Sequence, residues 1–340
     1  MTTDIGIDLG SYKTVIFSQN KTVLELPSVV TVDSETFEPV YYANKAFQTI
    51  GRTPDSLECV RPIEHGLISD IYIAEKMLNR YMQKAFGQKI VRPKIMACVP
   101  TGVTEIQYHN LTSVIERSGG RNITVVESPL LSAVSLGIDF SVPHGTMIVD
   151  IGAGTTDIAV ITMGGIAQSQ SFKTGSFDFD DVIIKSVRRE FNILIGALTA
   201  EKIKKQVGTV MQRPVEVAMT AKGRDIFSGL PQSFEITSND VLKAVSDTAL
   251  SICSAIKSVI ETTDPDLVAD VMNDGIYLTG GGSLINGMAE FISEYVGTKV
   301  HMVSDPAHSV VRGAAAALKN PKVFKDVDLQ YRALKDLIVE

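Results

Sequence analysis

The chain contains no tryptophan and only three cysteines, Cys59, Cys98 and Cys253, which are far apart and odd in number. No disulfide framework and no CxxC metal pattern can be drawn from them, as expected of a protein in a reducing cytoplasm. The five histidines are equally dispersed, which argues against a His/Cys zinc site. An excess of positive charge is missing too: 32 Lys and Arg stand against 39 Asp and Glu, a net charge of −7. This excludes nucleic-acid binding through bulk positive charge, and no nucleic acid is expected as a partner. The short basic clusters, Arg188-Arg189 and Lys202-Ile-Lys204-Lys205, read on their own as solvated helix faces. Long apolar runs, low-complexity stretches, long linkers and short-period repeats are absent. Because strand-like sequence begins almost at Met1, no signal peptide is expected.

What the chain has is length and an internal echo. At 340 residues, with 44% apolar and 21% charged residues, it suits two lobes, each with its own sheet. The segment Ile5-Gly-Ile-Asp8-Leu-Gly10-Ser-Tyr-Lys-Thr14-Val-Ile-Phe17 resembles Met147-Ile-Val-Asp150-Ile-Gly152-Ala-Gly-Thr-Thr156-Asp-Ile-Ala159. At a constant offset of 142 residues, Asp8 pairs with Asp150, Gly10 with Gly152 and Thr14 with Thr156. Each copy reads as strand, tight turn, strand. Between and after the copies, strands are expected at 94–100, 123–126 and 274–278. Helices are expected at 105–118, 130–136, 182–191, 200–207 and 241–262, so the fold class is α/β.

The chemistry follows from the turns. Small residues let backbone N–H groups approach a phosphate, and turn amides form an anion-binding nest. Two such turns facing across a cleft can clamp a polyphosphate, whereas a single Asp-x-Gly is more often an ordinary capped β-turn. Asp8 and Asp150 end apolar strands, where a hydrated Mg²⁺ is a natural partner for a carboxylate. A third glycine-rich element, Thr279-Gly280-Gly281-Gly282-Ser283, follows a strand and lets a base or an α-phosphate lie against the backbone. Taken alone it is a common strand-to-helix loop.

The set Asp8-Leu-Gly10, Asp150-Ile-Gly-Ala-Gly154-Thr155-Thr156 and Thr279-Gly-Gly-Gly-Ser283 resembles the superfamily of actins, DnaK-type chaperones and sugar kinases. Finer matches resemble the bacterial actin MreB family. They include Pro27-Ser-Val-Val30, Arg61-Pro-Ile, Gly66-Leu-Ile, Val99-Pro-x-Gly102-Val-Thr104, Gly223-Arg-Asp225, Gly229-Leu-Pro231 and Glu235-Ile-Thr-Ser238, spread over nearly the whole chain. The resemblance implies an actin-like fold of two duplicated lobes and four subdomains around a nucleotide cleft. Subdomain IA would comprise 1–31, 67–141 and 316–340, IB 32–66, IIA 142–176 and 245–315, and IIB 177–244. It implies ATP or ADP with Mg²⁺ as cofactors, assembly of copies of the chain into filaments that organise cell shape, and a cytoplasmic location. Gly10, Ser11, Tyr12 and Lys13 would line the first phosphate loop, and Gly152, Ala153, Gly154 and Thr155 the second. Ala200, Glu201, Lys202, Ile203 and Lys204 would approach the adenosine, Gly280 to Ser283 the base and α-phosphate, and Asp8 and Asp150 the metal.

The sequence departs from the family pattern in three places. Where the family carries a pair of acids before a proline, this chain has Glu127-Ser128-Pro129. Ser128 takes the place of the acid that would polarise the attacking water, and a neutral hydroxyl is a poor general base. Glu127 is the nearest remaining acid, but adjacent residues point in different directions. With Thr155, these two are the candidate catalytic residues of a slow ATPase. Tyr12-Lys13 replaces a small residue and Asn, and from the loop position alone Lys13 either reaches a phosphate or points to solvent. Gly175-Ser-Phe-Asp178 lacks the usual Gly-Asp pair, which leaves the next helix start open. The segment Gln88-Lys-Ile90-Val91-Arg92-Pro93 lies where the resemblance places a membrane-contact loop. Ile90 and Val91, flanked by cations, would touch an anionic leaflet, the alternative being a loop tucked onto the core. A sugar kinase or a DnaK-type chaperone is the rival class. A kinase needs a catalytic Asp base and a sugar pocket, neither of which is identifiable, and a chaperone needs a substrate-binding domain after the ATPase.

Overall fold

The computed structural model describes residues 4–18, 21–87, 93–139 and 142–320. The segment at 88–92, with Ile90 and Val91, lies outside them.

The first lobe is built on a five-stranded sheet. β1 (Ile5–Leu9), β2 (Lys13–Ser18) and β3 (Lys21–Pro27) form an antiparallel meander. A small three-stranded sheet follows, of β4 (Val30–Asp33), β5 (Pro39–Tyr42) and β6 (Leu57–Val60), with α1 (Ala43–Thr49) beside it. The two-residue strands β7 (Ile63–Glu64) and β8 (Leu67–Ile68) then pair around a turn at His65-Gly66. Helix α2 (Ile71–Phe86), not anticipated above, is capped by Asp70, whose carboxylate accepts from the Ile73 N–H at 2.8 Å. Its buried residues recur as pairs, Ile73-Ala74, Met77-Leu78 and Tyr81-Met82, giving the stripe that covers a sheet. β9 (Lys94–Val99), α3 (Glu105–Arg117), β10 (Arg121–Glu127) and α4 (Ser128–Leu136) complete the lobe. β9 and β10 extend the sheet in parallel, in the order β10-β9-β1-β2-β3.

The second lobe repeats this plan. β11 (Thr146–Ile151), β12 (Thr156–Thr162) and β13 (Gly165–Phe172) form the meander. α5 (Ser176–Phe191) starts six residues earlier than expected, because the Asp178 carboxylate accepts from the Gly175 N–H at 2.8 Å and caps the helix there. β14 (Ile193–Leu194), α6 (Ala197–Val207), β15 (Ala218–Asp225) and β16 (Pro231–Thr237) form the second small unit. The long α7 (Ser238–Thr262) opens on a reciprocal cap between Thr237 and Asp240, and α8 (Pro265–Asp274), also not anticipated, follows it. β17 (Ile276–Thr279), α9 (Met288–Val296) and β18 (Val300–Met302) complete the sheet in the order β13-β12-β11-β17-β18. This is the first lobe's order, strand for strand, with two parallel strands added on the same side of each meander.

Each lobe has its own apolar core. A third core joins them, where Leu131 of α4 and Ala314 of α10 (Ser309–Lys319) pack with Met96 of the first sheet and Ile148 and Ala159 of the second. α10 crosses α4 so closely that a Cβ on Gly313 would lie 1.7 Å from the Leu131 carbonyl oxygen. The expected boundary at 315/316 falls inside this one helix. Among the described residues no helix is long and apolar enough to cross a membrane.

Candidate functional site

Three parallel strand ends converge from each lobe, and the cleft between them opens at those carboxyl ends, where ligands of α/β sheets bind. The two hairpin turns face this cleft and are closed alike. The Gly10 N–H donates to the Lys13 carbonyl at 3.1 Å, and the Gly152 N–H donates to the Thr155 carbonyl at 2.8 Å. The duplicated sequence thus produces duplicated turns, one per lobe. The cavity holds about 450 Å³, a size suited to a small organic ligand.

Its floor is acidic. Asp8 and Asp150 line the cavity from equivalent positions, with Asp157 beside Asp150 across the β11–β12 ladder. Burial pushes the Asp8 carboxyl up against the opposing bond from Cys98, whose Sγ donates at 3.3 Å. Asp150 is pushed well above the usual carboxylate range by burial and then by its neighbours Asp157 and Asp8. Asp157 is raised by burial and accepts from the Thr155 hydroxyl at 3.0 Å and the Thr101 N–H at 3.2 Å. Among the described residues neither Asp8 nor Asp150 makes an ion pair, and no group of three or more His, Cys, Asp or Glu forms an all-protein metal cage. Two carboxylates that line one cavity without a direct ion pair suit a cation that keeps most of its waters, as Mg²⁺ does.

Most of the sequence-derived candidates meet here: Gly10, Ser11, Tyr12 and Lys13 from one turn, Gly152, Ala153, Gly154 and Thr155 from the other, Ser128 from the start of α4, Glu201 and Lys204 from α6, and Gly280, Gly281 and Gly282 after β17. Gly280 has φ +87° and sits so tightly that a Cβ would come within 2.3 Å of Asp150 Oδ1, so the glycine is required by both conformation and space. Five candidates do not line the cleft. On α6 the helical period presents Glu201, Lys204 and Lys205 to the cavity, sends Ala200 and Ile203 into the core and leaves Lys202 exposed. Ser283 is buried, its hydroxyl donating to the Gly280 carbonyl at 2.6 Å. Glu127 is buried away from the cavity, its carboxyl pushed up by desolvation, while Ser128 lines the cavity and donates to the Val99 carbonyl at 3.0 Å.

Lys13 neither hangs in solvent nor stands alone. Its ammonium bonds Glu25 at 2.5 Å and His308 Nε2 at 3.1 Å. Other contributors were not legible in advance. Asp180 forms a buried ion pair with Lys204 at 2.7 Å, yet burial pushes its carboxyl up to about 6. Its Oδ1, like Nε of Arg213, has no hydrogen-bond partner among the described residues, and both residues line the cleft. Buried polar atoms left unpaired at a cavity wall fit a polar ligand. The turn between β7 and β8 ties both phosphate-type loops together. The Gly66 N–H donates to Ser11 Oγ at 2.9 Å, and His65 Nδ1 lies 2.7 Å from the Gly154 carbonyl oxygen. Only Lys205 carried an advance signal, its i,i+4 spacing from Glu201.

Two like lobes, each a meander extended by parallel strands, around a cleft of paired turns and carboxylates, define a protein of the actin-like fold. The chain superimposes on the ADP-bound structure of MreB5 of Spiroplasma citri with a TM-score of 0.90, at 29% identity, covering 96% of this chain and 99% of that one. It also matches the chain of a MamK double helical filament with a TM-score of 0.78 at 23% identity, covering 94% and 99%, a likeness of fold. The MreB/Mbl protein family profile matches residues 2–326, and the chain belongs to that family. It is 37% identical to the cell shape-determining protein Mbl of Bacillus cereus over 319 residues, 93% of this chain and 96% of that protein. Identity to the cell shape-determining protein MreB of Escherichia coli K12 is 34% over 323 residues, 93% of each.

Proposed function

We propose that this chain binds ATP or ADP with Mg²⁺ in the cleft and polymerises with copies of itself into a cytoskeletal filament that organises cell shape. The observation that carries the proposal is the pair of alike-closed turns, one per lobe, facing each other over the carboxylates of Asp8 and Asp150. Support also comes from structures of a 29%-identical relative bound to ADP and to AMPPNP, and from membership in a family of cell shape-determining proteins. In this proposal the turns at 10–13 and 152–155 hold the phosphates through their amides. Asp8 and Asp150 hold the hydrated metal, whose charge would neutralise the polyphosphate. Lys204 and Asp180 take the ribose side, and Gly280 to Gly282 the base and α-phosphate. The division into subdomains IA, IB, IIA and IIB is proposed with one change, α10 being placed whole with the first lobe on whose strands it packs. Hydrolysis is slow, since Ser128 stands at the cavity wall in the place of the acid that would polarise the attacking water. Contact with an anionic membrane through Ile90 and Val91 is proposed from Lys89 and Arg92 beside them.

Sedimentation and phosphate release, measured on purified protein with Mg²⁺ and ATP, ADP or a non-hydrolysable ATP analogue, test the proposal. Pelleting filaments with ATP and with the analogue, and very slow phosphate release, are expected. Absence of pelleted polymer with every nucleotide would overturn it, as would turnover that depends on an added sugar or peptide.

A further inference from the structure

Tyr12 belongs to the first phosphate-type turn, but its side chain is committed across the cleft. Its hydroxyl donates to Glu201 Oε1 at 2.8 Å, and the same oxygen accepts from Lys205 Nζ at 2.5 Å. The Lys205 ammonium is 3.4 Å from the Tyr12 hydroxyl and 5.4 Å from its ring centroid. Tyr12 extends from the first lobe, Glu201 and Lys205 from α6 of the second, so the contacts close only when the lobes are together. Burial pushes the Glu201 carboxyl up, but the bonds from Lys205 and Tyr12 outweigh it and hold it below its ordinary value. The Tyr12 phenol is correspondingly raised, by burial and then by Glu201. Glu201 is therefore engaged by both neighbours, and Lys204, one residue from Lys205 in sequence, points instead to Asp180.

The surroundings hold the arrangement in place. The Tyr12 ring stands edge-on to Phe47 of the first lobe at 6.3 Å and tilts against Phe177 of the second at 6.2 Å. Arg61 lies 4.7 Å over the Phe177 ring and donates to the Ser11 carbonyl at 3.2 Å, so the turn is fixed through its backbone as well. Glu201 and Lys205 also line a second, shallow cavity of about 280 Å³ with Phe47 and Leu198. The Glu201–Lys205 pair is thus the partition between the main cleft and that outer cavity, and Tyr12 fastens it to the opposite lobe.

Resting on the nucleotide-binding proposal above, we infer that Tyr12, Glu201 and Lys205 form a cross-cleft latch that must break before the lobes part, so that Tyr12 is a positioning residue for nucleotide release. Charge-assisted hydrogen bonds in partly buried surroundings are strong enough for this, and losing one speeds release by about tenfold or more.

The test is stopped-flow release of a fluorescent ADP analogue from the full chain with Mg²⁺, together with amide exchange of the nucleotide-free protein. Tyr12→Phe, which keeps the ring and removes the hydroxyl, is expected to release the analogue about tenfold faster and to raise exchange at 10–13 and along α6. Glu201→Gln, which keeps an acceptor for Tyr12, should fall between wild type and Glu201→Ala. The Tyr12→Phe/Glu201→Ala double variant should release no faster than Glu201→Ala alone. Unchanged release and exchange in Tyr12→Phe, or effects that multiply in the double variant, would overturn the latch. Wild-type protein that takes up no ADP analogue, while Tyr12→Phe still raises exchange, would remove the nucleotide proposal and leave the latch as a clasp between the lobes.

Discussion

At the scale of single residues, the site turns on which side chains burial has cornered. Ser128 and Glu127 are neighbours, but one lines the cleft and the other is sealed in the first lobe. Ser128→Glu should place a carboxylate at the cavity wall and raise phosphate release by about a hundredfold, the low end of the range of about 10²–10⁴ that a positioned base contributes. Glu127→Ala should leave the rate of release unchanged in the same assay. Asp180 makes a pH prediction. Its carboxyl ionises near 6 in the folded chain and near its ordinary value, about 4, when unfolded. Between these values the folded state holds the extra proton, so this residue's contribution to stability is complete below about pH 4 and is lost as pH rises through about 6. Two pH units at about 1.4 kcal/mol each amount to about 3 kcal/mol. Denaturant unfolding of wild type and Asp180→Asn at several pH values should show wild type losing about that much relative to the variant between pH 4 and 7.

At the scale of elements, the helices α4 and α10 that join the lobes pack backbone to backbone. Gly313 is where α10 lies on the backbone of α4, and a methyl group there has no room. Gly313→Ala should destabilise the protein by about 2 kcal/mol or more, since overpacking outweighs the gain of about 1 kcal/mol in helix propensity. The midpoint of denaturant unfolding measures this. Elements built on a strong local signal were legible in the sequence. Strand β9 and helix α3, bounded by Pro100 and by Gly119-Gly120, lie within a residue of expectation. Elements whose limits depend on caps were not. α5, α6 and α7 each start earlier than their apolar stripes suggest, because the Gly175–Asp178 and Thr237–Asp240 caps and the Gly196 turn begin the helix ahead of its first core residue.

At the scale of the whole molecule, the cleft gathers like charge between the two lobes. Asp150 is buried with Asp157 and Asp8 around it, so replacing its carboxylate with an amide should raise the melting temperature of the nucleotide-free protein by several degrees. The same Asp150→Asn variant should lose the further rise that Mg²⁺ and ATP give wild type, because the stabilisation by a ligand follows its affinity for the folded state. Differential scanning calorimetry with and without Mg²⁺ and ATP reads both effects. A variant that is no more stable without nucleotide would show that the carboxylates are less crowded than their burial indicates.

The sequence by itself determined the duplication, the two turns and the glycines that follow β17, because each is a local pattern of small and apolar residues whose backbone consequence does not depend on distant partners. It also settled that Asp8 and Asp150 are equivalent, since their offset from the turn glycines is the same. Tertiary structure alone decided which face of α6 meets the cleft, that Lys13 pairs with Glu25 and His308, that Asp180 and Arg213 contribute to the site, and that Tyr12 reaches Glu201. Those contacts join residues 12 to 295 positions apart, and no local periodicity records which side chains two lobes bring together when they close.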